Sequence, residues 1–343
     1  MSGAPHDGAR LTLLDALEGT YVAAVLDFLH REGVLAALGA GEDVVPLAER
    51  LGFDAGALVK LLEYAALRSD LVERIDDPRG ARFTASAAYR ESGTAAYLLD
   101  QYAGAFGPCL LNLQEVMRAP AEAGRFVDRA RHADAYRRAS TGSNAPELVA
   151  LAGELGINVL LDVGCGGGQL LAALAESSPA FHGIGIDANP AAVGAARQLL
   201  AARGLDGRVE VVCGDLAEVG VLLSEERRAS VDALAAVSVA NAYAAGYRGR
   251  SVDDFLRALQ ALFPNRFLFL FDYYGRLGAV GDEPVRFRRT LLHDLAQVVS
   301  GEGVPPANLD AWREIYRRTG CTLVAHAEGE HDGIARFLHL VQL

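Results

Sequence analysis

Val159-Leu160-Leu161-Asp162-Val163-Gly164-Cys165-Gly166-Gly167-Gly168 is an apolar run that closes on an acid and then turns through four glycines in five positions. The residues that follow, Gln169-Leu170-Leu171-Ala172-Ala173-Leu174-Ala175, are strong helix formers. Strand, glycine turn and helix N-terminus in that order open a βαβ unit. Glycines at such a turn permit positive φ and let a ligand lie against bare backbone. Dinucleotide-binding folds also place a glycine turn after their first strand, so the chain downstream must decide between ligands.

A second apolar strand, His182-Gly183-Ile184-Gly185-Ile186, ends in Asp187, 25 residues after Asp162. An acid at the tip of a second parallel strand is placed to accept hydrogen bonds from ribose hydroxyls. A third strand, Val209-Glu210-Val211-Val212-Cys213, runs into Gly214-Asp215-Leu216, where the acid can take an exocyclic adenine amine. An NAD-type site shares the first turn, but G-x-G-G-G departs from its fingerprint and it leaves Gly214-Asp215-Leu216 unexplained.

From about residue 140 to 343, the succession D-V-G-C-G-G-G, G-I-D, G-D-L resembles the class I S-adenosylmethionine-dependent methyltransferases. The resemblance implies an α/β fold with a Rossmann-like seven-stranded sheet, S-adenosylmethionine as cofactor and S-adenosylhomocysteine as product. It implies that Gly164 and Gly166, with Asp162 and Cys165, lie at the methionine part. Asp187 and Ala188 would meet the ribose, Asp215 and Leu216 the adenine, and Ser238 to Tyr243 would stand beside the sulfonium. It also implies that Tyr136, just ahead of the core, closes over the cofactor.

The chain has 343 residues, 51% of them hydrophobic, and a net charge of −12. That length suits two domains, and the acidity argues against nucleic acid as main partner. No apolar run of 18 residues occurs and the first residues lack a signal pattern, so the expectation is a cytoplasmic protein with no membrane partner. Cys109, Cys165, Cys213 and Cys321 have no paired spacing, which predicts neither zinc nor a disulfide framework.

Ahead of the core, apolar positions at helical spacing predict two helices over residues 11–39, broken at Arg31-Glu32-Gly33, then helices at 44–52 and 54–67. Asp54 is the N-cap of the last. Leu71–Ile75 and Ala81–Thr84 flank a turn and predict a hairpin. Three helices and a two-stranded wing make a winged helix over residues 1–92. Its recognition helix would carry Lys60 as sole cation, too little to grip phosphates, so a dimerisation module is expected, with Leu11 to Leu29 between subunits. By order of elements this is similar to the small-molecule O-methyltransferases. In that resemblance, residues 93–145 are a helical connector lining the pocket and 146–343 the catalytic domain. Tyr102, Phe106, Asn112 and Met117 become pocket candidates.

Methyl transfer from a sulfonium needs near-attack geometry and, for a weakly acidic acceptor, removal of a proton. Plant-type relatives use a His after the fourth strand, whereas Val239-Ala240-Asn241-Ala242-Tyr243 has none. The base expected instead is His293, in Arg288-Arg289-Thr290-Leu291-Leu292-His293-Asp294-Leu295. This H-D pair, followed by Asn308-Leu309-Asp310-Ala311-Trp312, resembles bacterial natural-product methyltransferases, including α-keto-acid C-methyltransferases. Some of those bind ferric iron through two His, and Asn241 stands near the first, so no metal is predicted. Tyr243, Tyr273 and Arg289 are further substrate candidates. The sequence reading is therefore a homodimeric enzyme that methylates a hydroxyl or carboxyl oxygen of a small molecule or short peptide. A C-methyltransferase and a cofactor-sensing winged-helix regulator are its rivals.

Overall fold

A computed structural model of the chain describes residues 11–77, 80–140, 145–244, 246, 249–279, 287–331 and 333–343, and leaves out the side chains of 77, 80–81, 92, 136–140, 145 and 331. The chain divides into two compact units, Met1–Leu111 with Val127–Ala139, and Asn112–Phe126 with Ser140–Leu343. The connector expected over 93–145 is thus shared between them.

The first unit opens with helix Leu13–Arg31, whose Thr12 and Asp15 form a capping box. Gly33 at φ 74° breaks the helix where the sequence predicted, and helices Val34–Gly39, Val44–Leu51 and Ala55–Arg68 follow. The Asp54 side chain caps the last by accepting from Ala57 N at 2.7 Å. Strands β1 (Val72–Asp77) and β2 (Gly80–Ala85) pair antiparallel as predicted; their turn residues 78 and 79 lie outside the described residues. Leu29, Leu35, Leu38, Leu47 and Leu62 form the core.

A π-helix, Leu99–Ala105, follows in this unit. Its Gly104 leaves room for Arg131, because a Cβ there would fall 2.0 Å from the guanidinium carbon. Arg131 Nη2 donates to Asp27 at 2.6 Å and to Asp100 at 3.0 Å. Asp100 also faces His30 Nε2 at 3.2 Å, and His30 Nδ1 meets the Tyr89 hydroxyl at 2.7 Å. Mostly buried charges persist only when paired in this way.

In the second unit β3 (Val159–Val163), β4 (His182–Asp187), β5 (Val209–Cys213), β6 (Ala233–Val237) and β7 (Phe267–Tyr273) run parallel. β8 (Thr322–His331) and β9 (Ile334–Gln342) form an antiparallel hairpin, and β9 also runs antiparallel to β7. The spatial order is β5-β4-β3-β6-β7-β9-β8, a seven-stranded sheet as expected. Alternate residues feed two cores, one on each face: Leu161, Leu234 and Leu268 on one, Leu160, Ala233 and Phe269 on the other.

One expected helix fails. The polar helix from Leu216 to Glu226 is instead a 3₁₀ turn at Leu216–Glu218 and two short helices, Val219–Leu222 and Glu225–Ala229. Asp215 and Ser224 each cap a new start by accepting a backbone N–H, at 2.8 Å from Ala217 and 3.3 Å from Arg227. Short polar side chains favour such breaks over a continuous helix.

Helix Leu309–Thr319, capped by Asn308, lays Trp312 against Phe337 of β9, ring centroids 5.3 Å apart. Trp312 is fully buried, and its indole N–H has no hydrogen-bond partner among the described residues. Trp312→Ala should therefore lower stability by about 3–5 kcal/mol, read as a shift in urea midpoint at unchanged m-value.

Candidate active site

The strand order reverses at β3, whose neighbours β4 and β6 lead the chain away in opposite directions. In open α/β sheets that point is where ligands bind, beyond the carboxyl ends of the strands. The glycine turn sits there. Gly164, at φ 74°, is packed so closely that a Cβ would approach Val239 Cγ2 to 2.6 Å. Gly166, at φ 52°, would carry a Cβ into open space, so its backbone faces a gap.

Asp187 binds this turn from the tip of β4. Its Oδ2 accepts from Gly166 N at 2.9 Å and its Oδ1 from Asn189 N at 2.8 Å. Asp162, at 2% exposure, lies near the end of β3, and its Oδ1 has no hydrogen-bond partner among the described residues. Burial, and then the Asp187 charge, push its carboxyl up to about 7. Cys165 is buried with its sulfur against Gly185, and burial raises its thiol well above the ordinary range. Its place is packing.

Ala188 is exposed, and Asp215 and Leu216 are buried, with Asp215 acting as the cap described above. Ser238, just past the end of β6, adopts φ 54°, left-handed backbone that is uncommon for a residue other than glycine. Tyr136 lies on helix Arg129–Ser140 with its side chain outside the described residues.

Past Ser238, helix Ala240–Ala244 starts on Asp272, whose Oδ2 accepts from Ala240 N at 3.1 Å and whose Oδ1 accepts from Tyr273 N at 2.9 Å. Burial pushes the Asp272 carboxyl up to about 7 despite these bonds. Asn241 is buried on that helix. Its Nδ2 donates to Glu302 Oε2 at 3.0 Å, and its backbone carbonyl accepts from Gly303 N at 3.1 Å. Glu302 N donates to the Gln297 carbonyl at 2.8 Å. Gln297 lies one turn after His293 on helix Arg288–Val299, and the two side chains meet through Nε2 atoms at 3.2 Å. The His293 ring stands edge-on to Tyr273, centroids 4.7 Å apart. The structure thus gathers Asn241, Tyr273 and His293, and adds Asp272, Gln297 and Glu302, which the sequence reading missed. For Glu302 the sole local signal was an acid set between two glycines.

Asp294 does not extend His293 as a ligand pair. It is fully buried, and its Oδ2 accepts from Arg276 N and Leu277 N at 2.7 Å each, anchoring the loop after β7. Burial, then the Asp294 charge, raise the Tyr273 hydroxyl far above its ordinary range, with Asp272 and Glu302 adding to the effect. Tyr243 is buried in the core on Phe255, centroids 4.6 Å apart, and Arg289 packs its stem against Gly333. Asn112 precedes helix Leu113–Arg118 without capping it through its side chain. Tyr102 and Phe106 belong to the first unit, in a run of rings with Tyr97 and His132.

Residues 160–261 match the methyltransferase domain family. The whole chain is similar in fold to the mitomycin 7-O-methyltransferase MmcR, with 19% identity over 96% of this chain and 97% of that one and a TM-score of 0.71. It is similar to human N-acetylserotonin methyltransferase, solved with S-adenosylmethionine, at 16% identity, 99% of both chains and a TM-score of 0.70. It is also similar to NcsB1, an O-methyltransferase from neocarzinostatin biosynthesis, at 16% identity, 98% of this chain, 100% of that one and a TM-score of 0.70. Residues 160–261 are thus a methyltransferase domain, carried on this seven-stranded sheet.

Proposed function

We propose that the protein transfers the methyl group of S-adenosylmethionine to a hydroxyl or carboxyl oxygen of a small molecule or short peptide in bacterial specialised metabolism. The observation that carries the cofactor reading is the unpartnered Asp162 Oδ1 beside the bare backbone of Gly166. A buried acceptor without a donor costs about 1–3 kcal/mol, and the methionine ammonium of the cofactor is a donor that fits it. Asp187, which already holds the turn, keeps lone pairs for ribose hydroxyls, and Asp215 with Leu216 would border the adenine. Two of the similar folds are named O-methyltransferases, which favours oxygen as acceptor.

The bound cofactor supplies an activated methyl, so the chain's own groups hold the acceptor in line and manage its proton. His293 is the base in this reading. Its ring is fixed by Tyr273 and Gln297. An already ionised carboxylate acceptor would need no base.

The first unit is read as a winged-helix dimerisation module. Leu11, Leu13, Leu14, Leu17 and Tyr21 are each more than half exposed at the start of the first helix, an apolar surface suited to a second copy.

Three measurements test this reading. In calorimetry, S-adenosylhomocysteine should bind at micromolar level, and Asp187→Ala should weaken binding at least tenfold; no binding to the wild type would refute the enzyme reading. Affinity should also depend on pH. Below about 7 the Asp162 carboxyl is protonated and must lose its proton to receive the ammonium. Binding should then weaken on the order of tenfold per pH unit below that point and level off above it, while Asp162→Asn should abolish the dependence. Light scattering should give a dimer, and Leu14→Asp with Leu17→Asp should give monomers of unchanged cofactor affinity.

A further inference from the structure

Asn241 has a fixed orientation. A carboxylate only accepts hydrogen bonds, so Glu302 at 3.0 Å must face the amide nitrogen, and the amide oxygen must point the other way. That oxygen, Asn241 Oδ1, is buried and has no hydrogen-bond partner among the described residues. It stands three residues past the strained Ser238 and two past Val239, the residue packed on Gly164. The wall around it is acidic. Glu302 is bonded to Asn241, and Asp272 and Asp294 both act, with Glu302, on the neighbouring Tyr273 hydroxyl.

Both features ask for the same ligand chemistry. An orphaned amide oxygen needs a donor, and flanking carboxylates favour a cation and repel an anion. We infer that this wall recognises a hydrogen-donating, cationic nitrogen on the acceptor molecule, with Asn241 Oδ1 as its direct contact and Glu302 as the residue that sets the amide. The inference rests on the methyltransferase reading and adds the class of substrate. The molecule carries an amine or similar cationic nitrogen at this wall, and a carboxylate there is rejected.

The probes are benzylamine, benzyl alcohol and benzoate, titrated by ligand-observed NMR into protein saturated with S-adenosylhomocysteine. Saturation is verified first, and failure at that step refutes the enzyme reading itself. Benzylamine, protonated at pH 7, should bind most tightly, benzyl alcohol at least fivefold more weakly, and benzoate should show no binding that depends on Asn241. Asn241→Leu and Glu302→Gln, each shown to bind S-adenosylhomocysteine as the wild type does, should weaken benzylamine at least fivefold. The pair of variants guards against loss of folding in either one. Glu302→Gln has a further readout: a glutamine amide can donate to Asn241 Oδ1, which removes the acceptor without removing any volume. Benzoate binding that is lost in Asn241→Leu, benzylamine binding indifferent to both substitutions, or no binding by any probe would each overturn the inference.

Discussion

The hydrogen bond from Gly166 N to Asp187 Oδ2, 2.9 Å long, joins the glycine turn of β3 to the tip of β4. The rest of the site depends on that junction. Gly164 and Gly166 hold positive φ, which the turn needs to leave β3 and enter the next helix with its backbone bare. One carboxylate pins the turn and the start of the loop after β4 together, so two strand ends move as one body. The same carboxylate raises the cost of ionising Asp162 beside it, and a group held near neutrality is poised to respond to a bound cation.

Acidic residues gather at the carboxyl ends of the strands and in the elements that follow them. Asp162 and Asp187 stand at the glycine turn, and Asp272, Asp294 and Glu302 around Tyr273 and Asn241. Asp187, Asp272 and Asp294 accept backbone N–H groups and so place the loops that surround the crevice. Among the described residues Asp162 Oδ1 and Asn241 Oδ1 are buried without a hydrogen-bond partner, as are Tyr273 Oη, Asp294 Oδ1 and Gln297 Oε1.

The far edge of the sheet is held by a different means. His339 of β9 is fully buried, with Nδ1 at 2.8 Å from the Tyr316 hydroxyl and Nε2 at 3.3 Å from that of Tyr274, which in turn donates to Glu328 at 2.7 Å. Burial, and then His326 and Arg313, hold His339 down to about 3, so it serves as a neutral spacer between two hydroxyls. With Trp312 and Phe337 it locks the antiparallel hairpin to helix Leu309–Thr319, and β7, which carries Asp272 and Tyr273, is paired to that hairpin.

The sequence by itself determined the α/β class, the βαβ start, the three acidic strand tips, the helix break at Gly33, and the Asp54 and Asn308 caps. Each rests on residues adjacent in the chain, where period, turn chemistry and capping act locally. It also pointed to Asn241, Tyr273 and His293, though not to what joins them. Only the tertiary structure brought Glu302 to Asn241, 61 residues away, and turned Asp294 from a partner of His293 into the anchor of residues 276–277. The polar stretch after Asp215 misled for a related reason: its composition suits a helix, but Asp215 and Ser224 found backbone partners that end one. Carboxylates in loops carry no periodicity, and their roles are set by whichever N–H or amide the fold delivers to them.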